Sequence, residues 1–438
     1  MPAEEFIPPT VAERLGGQKD TKKLFHLDPY LRRFETKVLE AMEDDDRVYT
    51  VLEETCFHPE GGGQPADRGH ILGRDGRLEV LDAQIMDGVI VHVTRKEVGG
   101  VKKGDLVQGE IDWEARYAYM KHHTASHIVF SALRKVLGVV DLQYLGFQIG
   151  GDRTRIDINY GKPIPSEELE KVERLANSIC LENRGVKTWH STREEVEKTY
   201  GGRLGLTDVT PTGEVRVVEI EDWDVSLCSG THVRQTVECS PIKILGRFRL
   251  QRGVERIEFS AGRPAYEHIE GALRMLDEVS RLLGSPTDEV SRRVRRLLDE
   301  KQRLKEEIRG LKAGFAQREA LGMLEEAEPI GGLKLIVRRV QDVDGDILKR
   351  MTLALIERDP SLIVVLGSVQ EKAFLVGRAG PLALDHGVDM AKIIKDAAEV
   401  IDGAGGGKAE FAQAGGRGRD KLDSALETCR EGVLERLK

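Results

Sequence analysis

Tyr119-Met120-Lys121-His122-His123-Thr124-Ala125-Ser126-His127-Ile128-Val129-Phe130-Ser131-Ala132-Leu133 lies where the chain changes its hydrophobic period. Between residues 114 and 137, Ala118, Ala125, Ile128, Val129, Ala132, Leu133 and Val136 recur at helical intervals, and Gly138 closes the predicted helix. Upstream, from Arg47 to Asp112, the pattern is strand-like. Val48-Tyr49-Thr50-Val51, His70-Ile71-Leu72, Leu78-Glu79-Val80-Leu81 and Val89-Ile90-Val91-His92-Val93 are separated by Gly and Asp turns. Short strands at this spacing predict a small antiparallel β-barrel. Downstream, strands around Phe147, Arg155-Ile156-Asp157-Ile158, Val215–Val218, Ile242–Leu245 and Arg256–Phe259 flank a helix from Ser166 to Glu182, an α+β pattern.

After Gly262 two apolar stripes follow. Tyr266, Ile269, Leu273, Leu276, Val279 and Leu283 form one, Gly284-Ser285-Pro286 interrupts it, and Val290, Val294, Leu297, Leu304, Ile308, Leu311 and Phe315 form the next. They predict an antiparallel helical hairpin, either a spacer or a dimerisation arm. From Pro329 onward strands and helices alternate, with a glycine-rich loop expected from Gly403 to Gly418 and a final helix. The expected organisation is an N-terminal extension (1–34), a β-barrel (35–113), an α+β domain (114–262), a helical arm (263–328) and a compact α/β domain (329–438). The fold class is thus multidomain α+β.

Composition narrows the class further. At about 150 residues per domain, 438 residues predict roughly three domains. Hydrophobic residues are 40% and charged residues 32%, and no run approaches a bilayer span. The N-terminus lacks a secretion signal, so the expected location is the cytoplasm, with no membrane partner. A net charge of −9 requires any polyanion to be held by local basic patches. The five cysteines are scattered and odd in number, which fits reduced thiols or a metal ligand better than a disulfide framework.

His123 and His127 stand one helical turn apart on one face, where two imidazoles can converge on one ion. Cys228-Ser229-Gly230-Thr231-His232 repeats the four-residue interval with a thiol and an imidazole. Three imidazoles and a thiolate form a donor set that Zn²⁺ prefers. With 11 histidines and five cysteines either pair can arise by accident, and both together seldom do. Four protein ligands make a closed, structural site, whereas three plus a water make a hydroxide source. Thr124, Ser126 and Thr231 supply hydroxyls for a substrate, although hydroxyls near a helix start are more often caps.

Neither glycine-rich stretch is a phosphate loop. Glu60-Gly61-Gly62-Gly63-Gln64 lacks a following Lys-Ser/Thr, and Gly405-Gly406-Gly407-Lys408 is followed by Ala409. Both still permit close backbone approach to a ligand. Lys408, Arg417 and Arg419 give the second a basic excess suited to phosphates, a solvated loop being the competing reading. Arg247 and Arg249 alternate with apolar residues, so a strand would present them together as a backbone-phosphate contact. Arg153-Thr154-Arg155 and Arg292-Arg293-Val294-Arg295-Arg296 are further basic clusters.

Thr55-Cys56-Phe57-His58-Pro59-Glu60-Gly61-Gly62-Gly63-Gln64, then His123-Thr124-Ala125-Ser126-His127, then Cys228-Ser229-Gly230-Thr231-His232 resemble, in order and separation, the signatures of the editing half of alanyl-tRNA synthetases and the free-standing AlaX proteins. Gly405-Gly406-Gly407-Lys408-Ala409-Glu410-Phe411-Ala412-Gln413-Ala414-Gly415-Gly416 is similar to the glycine-rich signature of the DHHA1 domain. Only about 34 residues precede the barrel, so no aminoacylation is expected, and the likeness is to a long-form AlaX protein.

The resemblance implies zinc held by His123, His127, Cys228 and His232. It implies hydrolysis of wrong esters on alanine tRNA, chiefly serine, with glycine as the second candidate. An alanine pocket cannot strongly reject an amino acid that adds a hydroxyl or lacks a methyl, so selectivity moves to a second site. By the same resemblance Gln143 falls near the amino acid, and the Gly61–Gly63 loop approaches the acceptor end. Expected partners are the acceptor end and elbow of alanine tRNA and a second copy of the chain, paired through the arm or the C-terminal domain. The rival functions are a tRNA-binding module with structural zinc and a DHHA1-linked phosphodiesterase; Asp385-His386 is a poor substitute for the metal residues the latter needs.

Overall fold

The computed structural model describes residues 7–15, 18–44, 46–201, 204–207 and 213–437. The chain divides into two compact units, Met1–Glu278 and Val279–Lys438, and the division falls inside the helix Arg263–Leu283.

In the first unit six strands close an antiparallel barrel. Around it run Arg33–Asp44, Arg47–Leu52, Val89–Gly99, Gly76–Met86, Gly69–Leu72 and Leu106–Ile111, the last pairing back to the first. The predicted barrel is present, with two strands beyond those legible in the sequence. Arg33–Asp44 is a strand in which Phe34, Thr36 and Val38 turn inward while Arg33, Glu35 and Lys37 face solvent. Residues before it pack against the barrel. Lys22–Lys23 pairs in parallel with Glu54–Thr55, and Leu24 and Phe25 join the barrel core.

The helix Trp113–Leu137 follows directly. Asp112 caps it by accepting the Ala115 N–H at 3.2 Å, and Gly138, at φ +66°, ends it. From His122 to Leu133 every residue is buried, because sheets and a second helix, Ser166–Leu181, surround it. One four-stranded sheet runs Ile242–Gln251, Val254–Ala261, Thr154–Asn159, Tyr144–Ile149; another runs Val186–Thr192, Glu214–Ile220, Asp224–Leu227, Leu204–Thr207. Barrel and helix are joined by a buried ion pair. Arg116 Nε donates to Asp67 Oδ1 at 2.8 Å, Arg116 Nη2 reaches the other oxygen, and the same nitrogen donates to the Cys56 carbonyl at 2.5 Å. Neither side chain exceeds 1% exposure, so removing one partner should cost about 3–5 kcal/mol.

In the second unit the helix Val290–Met323 is long, and only its C-terminal end enters a core. Ala316, Ala320 and Met323 pack with Ile336, Leu348 and Leu362. Leu304, Ile308, Leu311 and Phe315 of the predicted stripe are exposed. A six-stranded sheet runs Glu328–Ile330, Leu333–Arg339, Leu362–Val369, Ala373–Ala379, Phe411–Gly416, Gly403–Lys408, with helices Gly345–Arg358, Met390–Val400 and Leu422–Arg436 packed on it. Here the sequence expectation is corrected: the glycine-rich loop is an antiparallel hairpin, Gly403–Lys408 with Phe411–Gly416, at the sheet edge. Residues without side chains carry no alternation, so the period-two signal was absent even though the backbone ladder is complete.

Candidate metal centre

The two four-residue pairs meet. His123 and His127 lie near the middle of the helix Trp113–Leu137, not at its start, with ring centroids 5.6 Å apart. The strand Asp224–Leu227 delivers Cys228 directly, and the chain turns back to bring in His232. Cys228 Sγ lies 3.1 Å from His123 Nε2 and 3.4 Å from His232 Nε2. One ligand atom from each of the four residues falls within 4.8 Å of all the others, and all four residues are buried. Bonds of about 2.0 Å to nitrogen and 2.3 Å to sulfur put neighbouring donors of a three-nitrogen, one-sulfur tetrahedron about 3.3–3.5 Å apart, close to the 3.1 and 3.4 Å seen from Cys228 Sγ.

The outer hydrogen bonds set each imidazole the same way. His123 Nδ1 is 2.8 Å from Gln64 Oε1, His127 Nδ1 is 3.1 Å from Asp224 Oδ2, and His232 Nδ1 is 3.1 Å from Thr124 Oγ1. Each Nδ1–H has an oxygen acceptor outside the cluster, which leaves every Nε2 lone pair facing inward. His127 Nε2 is buried without a hydrogen-bond partner, the orphan a metal ion would satisfy. The acceptors are themselves fixed. Gln64 Oε1 also accepts the Thr231 N–H at 3.0 Å while its Nε2 donates to Thr231 Oγ1 at 2.9 Å, so the amide cannot flip without losing both bonds. Asp224 accepts from Ser131 at 2.6 Å and from Ser226 at 2.7 Å.

Electrostatics favour ligation. Burial, and then the neighbouring imidazoles, hold His123 and His232 well below the usual histidine range, hence neutral. Burial would lower His127 too, but its bond to Asp224 and the neighbouring Cys228 sulfur outweigh that and push it up to about 10. The proton His127 carries is one that a cation would displace. Arg216, buried behind the loop, donates to the carbonyls of Cys228 at 2.9 Å and Gly230 at 2.8 Å. The donor set is compatible with zinc.

Several expected site residues fall elsewhere or act indirectly. The Thr124 hydroxyl is neither a helix cap nor free for substrate, since it is buried, meets His232 and accepts the Val233 N–H at 3.2 Å. Ser126 bonds back to the His123 carbonyl at 2.5 Å. Gln143 is exposed at the entry to the strand Tyr144–Ile149 and pairs with Asn159 through its backbone. The Gly61–Gly63 loop closes a tight turn, with Gly62 and Gly63 at φ +55° and +73°, and leads straight into Gln64. Arg247 is tied to buried Glu255 at 2.9 Å, which offsets its charge, whereas Arg249 is exposed. Lys408, Arg417 and Arg419 are exposed on the second unit. The residues sequence reasoning missed are Gln64, Asp224 and Arg216. Gln64 stands in the quoted glycine motif and Asp224 four residues before Cys228, but nothing local says which ring either will meet.

Three family models match the chain: tRNA synthetases class II (A) over residues 29–115, the threonyl and alanyl tRNA synthetase second additional domain over 215–258, and the DHHA1 domain over 332–434. The second match takes in Cys228 and His232. Over 437 residues the chain is 36% identical to the alanine–tRNA ligase of Methanosarcina barkeri, covering 99% of this chain and 46% of that protein. The chain is alanyl-tRNA synthetase-like. The corresponding protein of Methanothrix thermoacetophila is 38% identical over 420 residues, 94% of this chain and 45% of that one. For Thermococcus kodakarensis the figures are 35% over 414 residues, 94% and 43%. The chain spans about half the length of the curated relatives it matches. Among the described residues no helix is long and apolar enough to cross a membrane.

Proposed function

We propose that this chain is a cytoplasmic trans-editing hydrolase that deacylates alanine tRNA carrying serine, and secondarily glycine, with Zn²⁺ at His123, His127, Cys228 and His232. The observation that carries the reading is the convergence of three inward-facing Nε2 atoms on one sulfur, in a chain related along its length to alanine–tRNA ligases. When bound, the metal supplies Lewis acidity and a fixed positive charge beside the ester. The chain's own residues orient what surrounds that charge. Gln64, Asp224 and Thr124 lock the three rings, and Arg216 holds the loop that carries Cys228. Alanyl ester is spared because polar groups arranged for the seryl hydroxyl would be left unpaired against a methyl. The exposed cations Arg249, Lys408, Arg417 and Arg419 are assigned to tRNA phosphates.

A second reading has an observation of its own. Four buried protein ligands are the hallmark of a closed, structural site, which would make the chain a tRNA-binding module without chemistry. A deacylation assay on seryl- and alanyl-tRNA for alanine, with and without chelator, separates the two. The hydrolase reading requires turnover of the seryl ester, its loss on chelation and in Cys228→Ala, and sparing of the alanyl ester. Tight tRNA binding with no turnover by the metal-loaded protein would sink it in favour of the module.

A further inference from the structure

Two of the four donors, Cys228 and His232, stand on residues 228–233, a stretch with no helix or strand, so groups from elsewhere must fix its backbone. Arg216 takes the carbonyls of Cys228 and Gly230. The carbonyl between them, that of Ser229, accepts from His26 Nε2 at 3.0 Å, so this nitrogen carries the ring proton. His26 belongs to the short helix Leu24–Leu27, 203 residues earlier in the chain. The expected N-terminal extension therefore reaches the metal loop. The same segment holds the loop's other end. Tyr30 Oη donates to Glu238 Oε2 at 2.6 Å and accepts the Arg234 N–H at 3.0 Å, while the Arg234 guanidinium lies 4.4 Å over the Tyr30 ring and reaches Asp28 Oδ1 at 3.1 Å. Glu238 closes the arrangement by accepting the N–H groups of Arg234 and Gln235, each at 3.1 Å.

Residues 25–30 are themselves anchored. Phe25 is buried in the barrel core with its ring edge-on to His58 at 5.2 Å, and the Pro29 carbonyl accepts from Arg116 Nη1 at 3.1 Å. A fixed segment that meets the loop one residue after Cys228 and two residues after His232 limits how far either donor can drift. His26 itself is only partly buried, so the bond to Ser229, more than core filling, is what its imidazole contributes. We propose that residues 25–30 form a strap over the metal loop, and that His26, outside the ligand shell, is a positioning residue that sets the place of Cys228 through the Ser229 carbonyl. The metal as ligand rests on the reading above, and so does any effect on turnover.

The test uses the full chain with Co²⁺ as the probe metal, because the visible bands of bound Co²⁺ report the geometry of its donors. Affinity is read by competition with a chromophoric chelator. His26→Leu, which keeps bulk and removes the donor, should weaken Co²⁺ about tenfold and shift its bands. His26→Gln, whose own Nε2–H can reach the same carbonyl, should restore both, and this separates a lost bond from a lost fold. His190→Ala removes the ring 5.9 Å from that of His26 and should leave affinity and spectrum as in the parent. Parent-like affinity and spectrum in His26→Leu, a loss that His26→Gln does not restore, or an equal loss in His190→Ala overturns the proposal. The failures are distinguishable. Seryl-ester turnover at the parent's kcat by a His26→Leu protein of parent-like affinity removes the strap and leaves the hydrolase, whereas a His26→Leu loss restored by Gln in a chain that turns over no seryl ester leaves the strap and removes the hydrolase.

Discussion

Gly61-Gly62-Gly63-Gln64 and Gly405-Gly406-Gly407-Lys408 are nearly the same string of residues, and the structure uses them in opposite ways. The first is a two-glycine turn that forces its following side chain inward, where Gln64 is wholly buried against His123. The second is an edge strand, paired residue for residue with Phe411–Gly416, and its Lys408 faces solvent. In the turn glycine is needed for a backbone sign; in the strand it is needed where the neighbouring chain comes too close for a side chain. Similar glycine content therefore implies no shared role, and substitutions should separate the two runs.

The largest effect is expected at Gly63. An added Cβ would sit 2.5 Å from the Phe147 ring and 2.9 Å from its carbonyl oxygen, at φ +73°. Overpacking and left-handed strain together should make Gly63→Ala about 3 kcal/mol less stable by denaturant melting of the first unit. Next comes Gln64→Leu, which leaves the His123 Nδ1–H without its acceptor. Metal affinity, read by competition with a chromophoric chelator, should fall about 10- to 100-fold. Gly407→Ala should matter less. Its Cβ would approach the Phe411 carbonyl to 2.2 Å, but an edge strand can shift, so about 1–2 kcal/mol is expected in the second unit and no change in metal affinity. Gly406→Ala meets nothing within 4 Å and should stabilise by about 0.5 kcal/mol. A Gly63→Ala protein as stable and metal-competent as the parent would erase the contrast, and a severe loss in Gly406→Ala would reverse it.

The same contrast explains what could be seen from the sequence. The barrel was legible where Val48–Val51 and Val89–Val93 form short β-branched runs between turn residues, and the candidate ligand set was legible because two intervals of four place His123, His127, Cys228 and His232 in a recognisable donor pattern. What escaped was anything carried by a single residue whose partner lies far along the chain. Gln64 acts 59 residues away, Asp224 acts 97 away, and neither belongs to a periodic pattern. Thr124 was noticed for the right atom but without its partner, since cap, substrate hydroxyl and ring acceptor look identical until the fold brings His232 across. The strand Gly403–Lys408 escaped for the opposite reason: residues lacking side chains leave no trace of which face is inside.

The Gln64 amide has one more consequence. It originates in the barrel yet orients a ring carried by the helix Trp113–Leu137, so the ligand geometry is completed only after the barrel has docked. Ion capture by the helical portion alone would be weak and loosely aimed. A cation bound at the cluster would thus meet its full set of oriented rings only in chains whose first hundred or so residues have reached their native place.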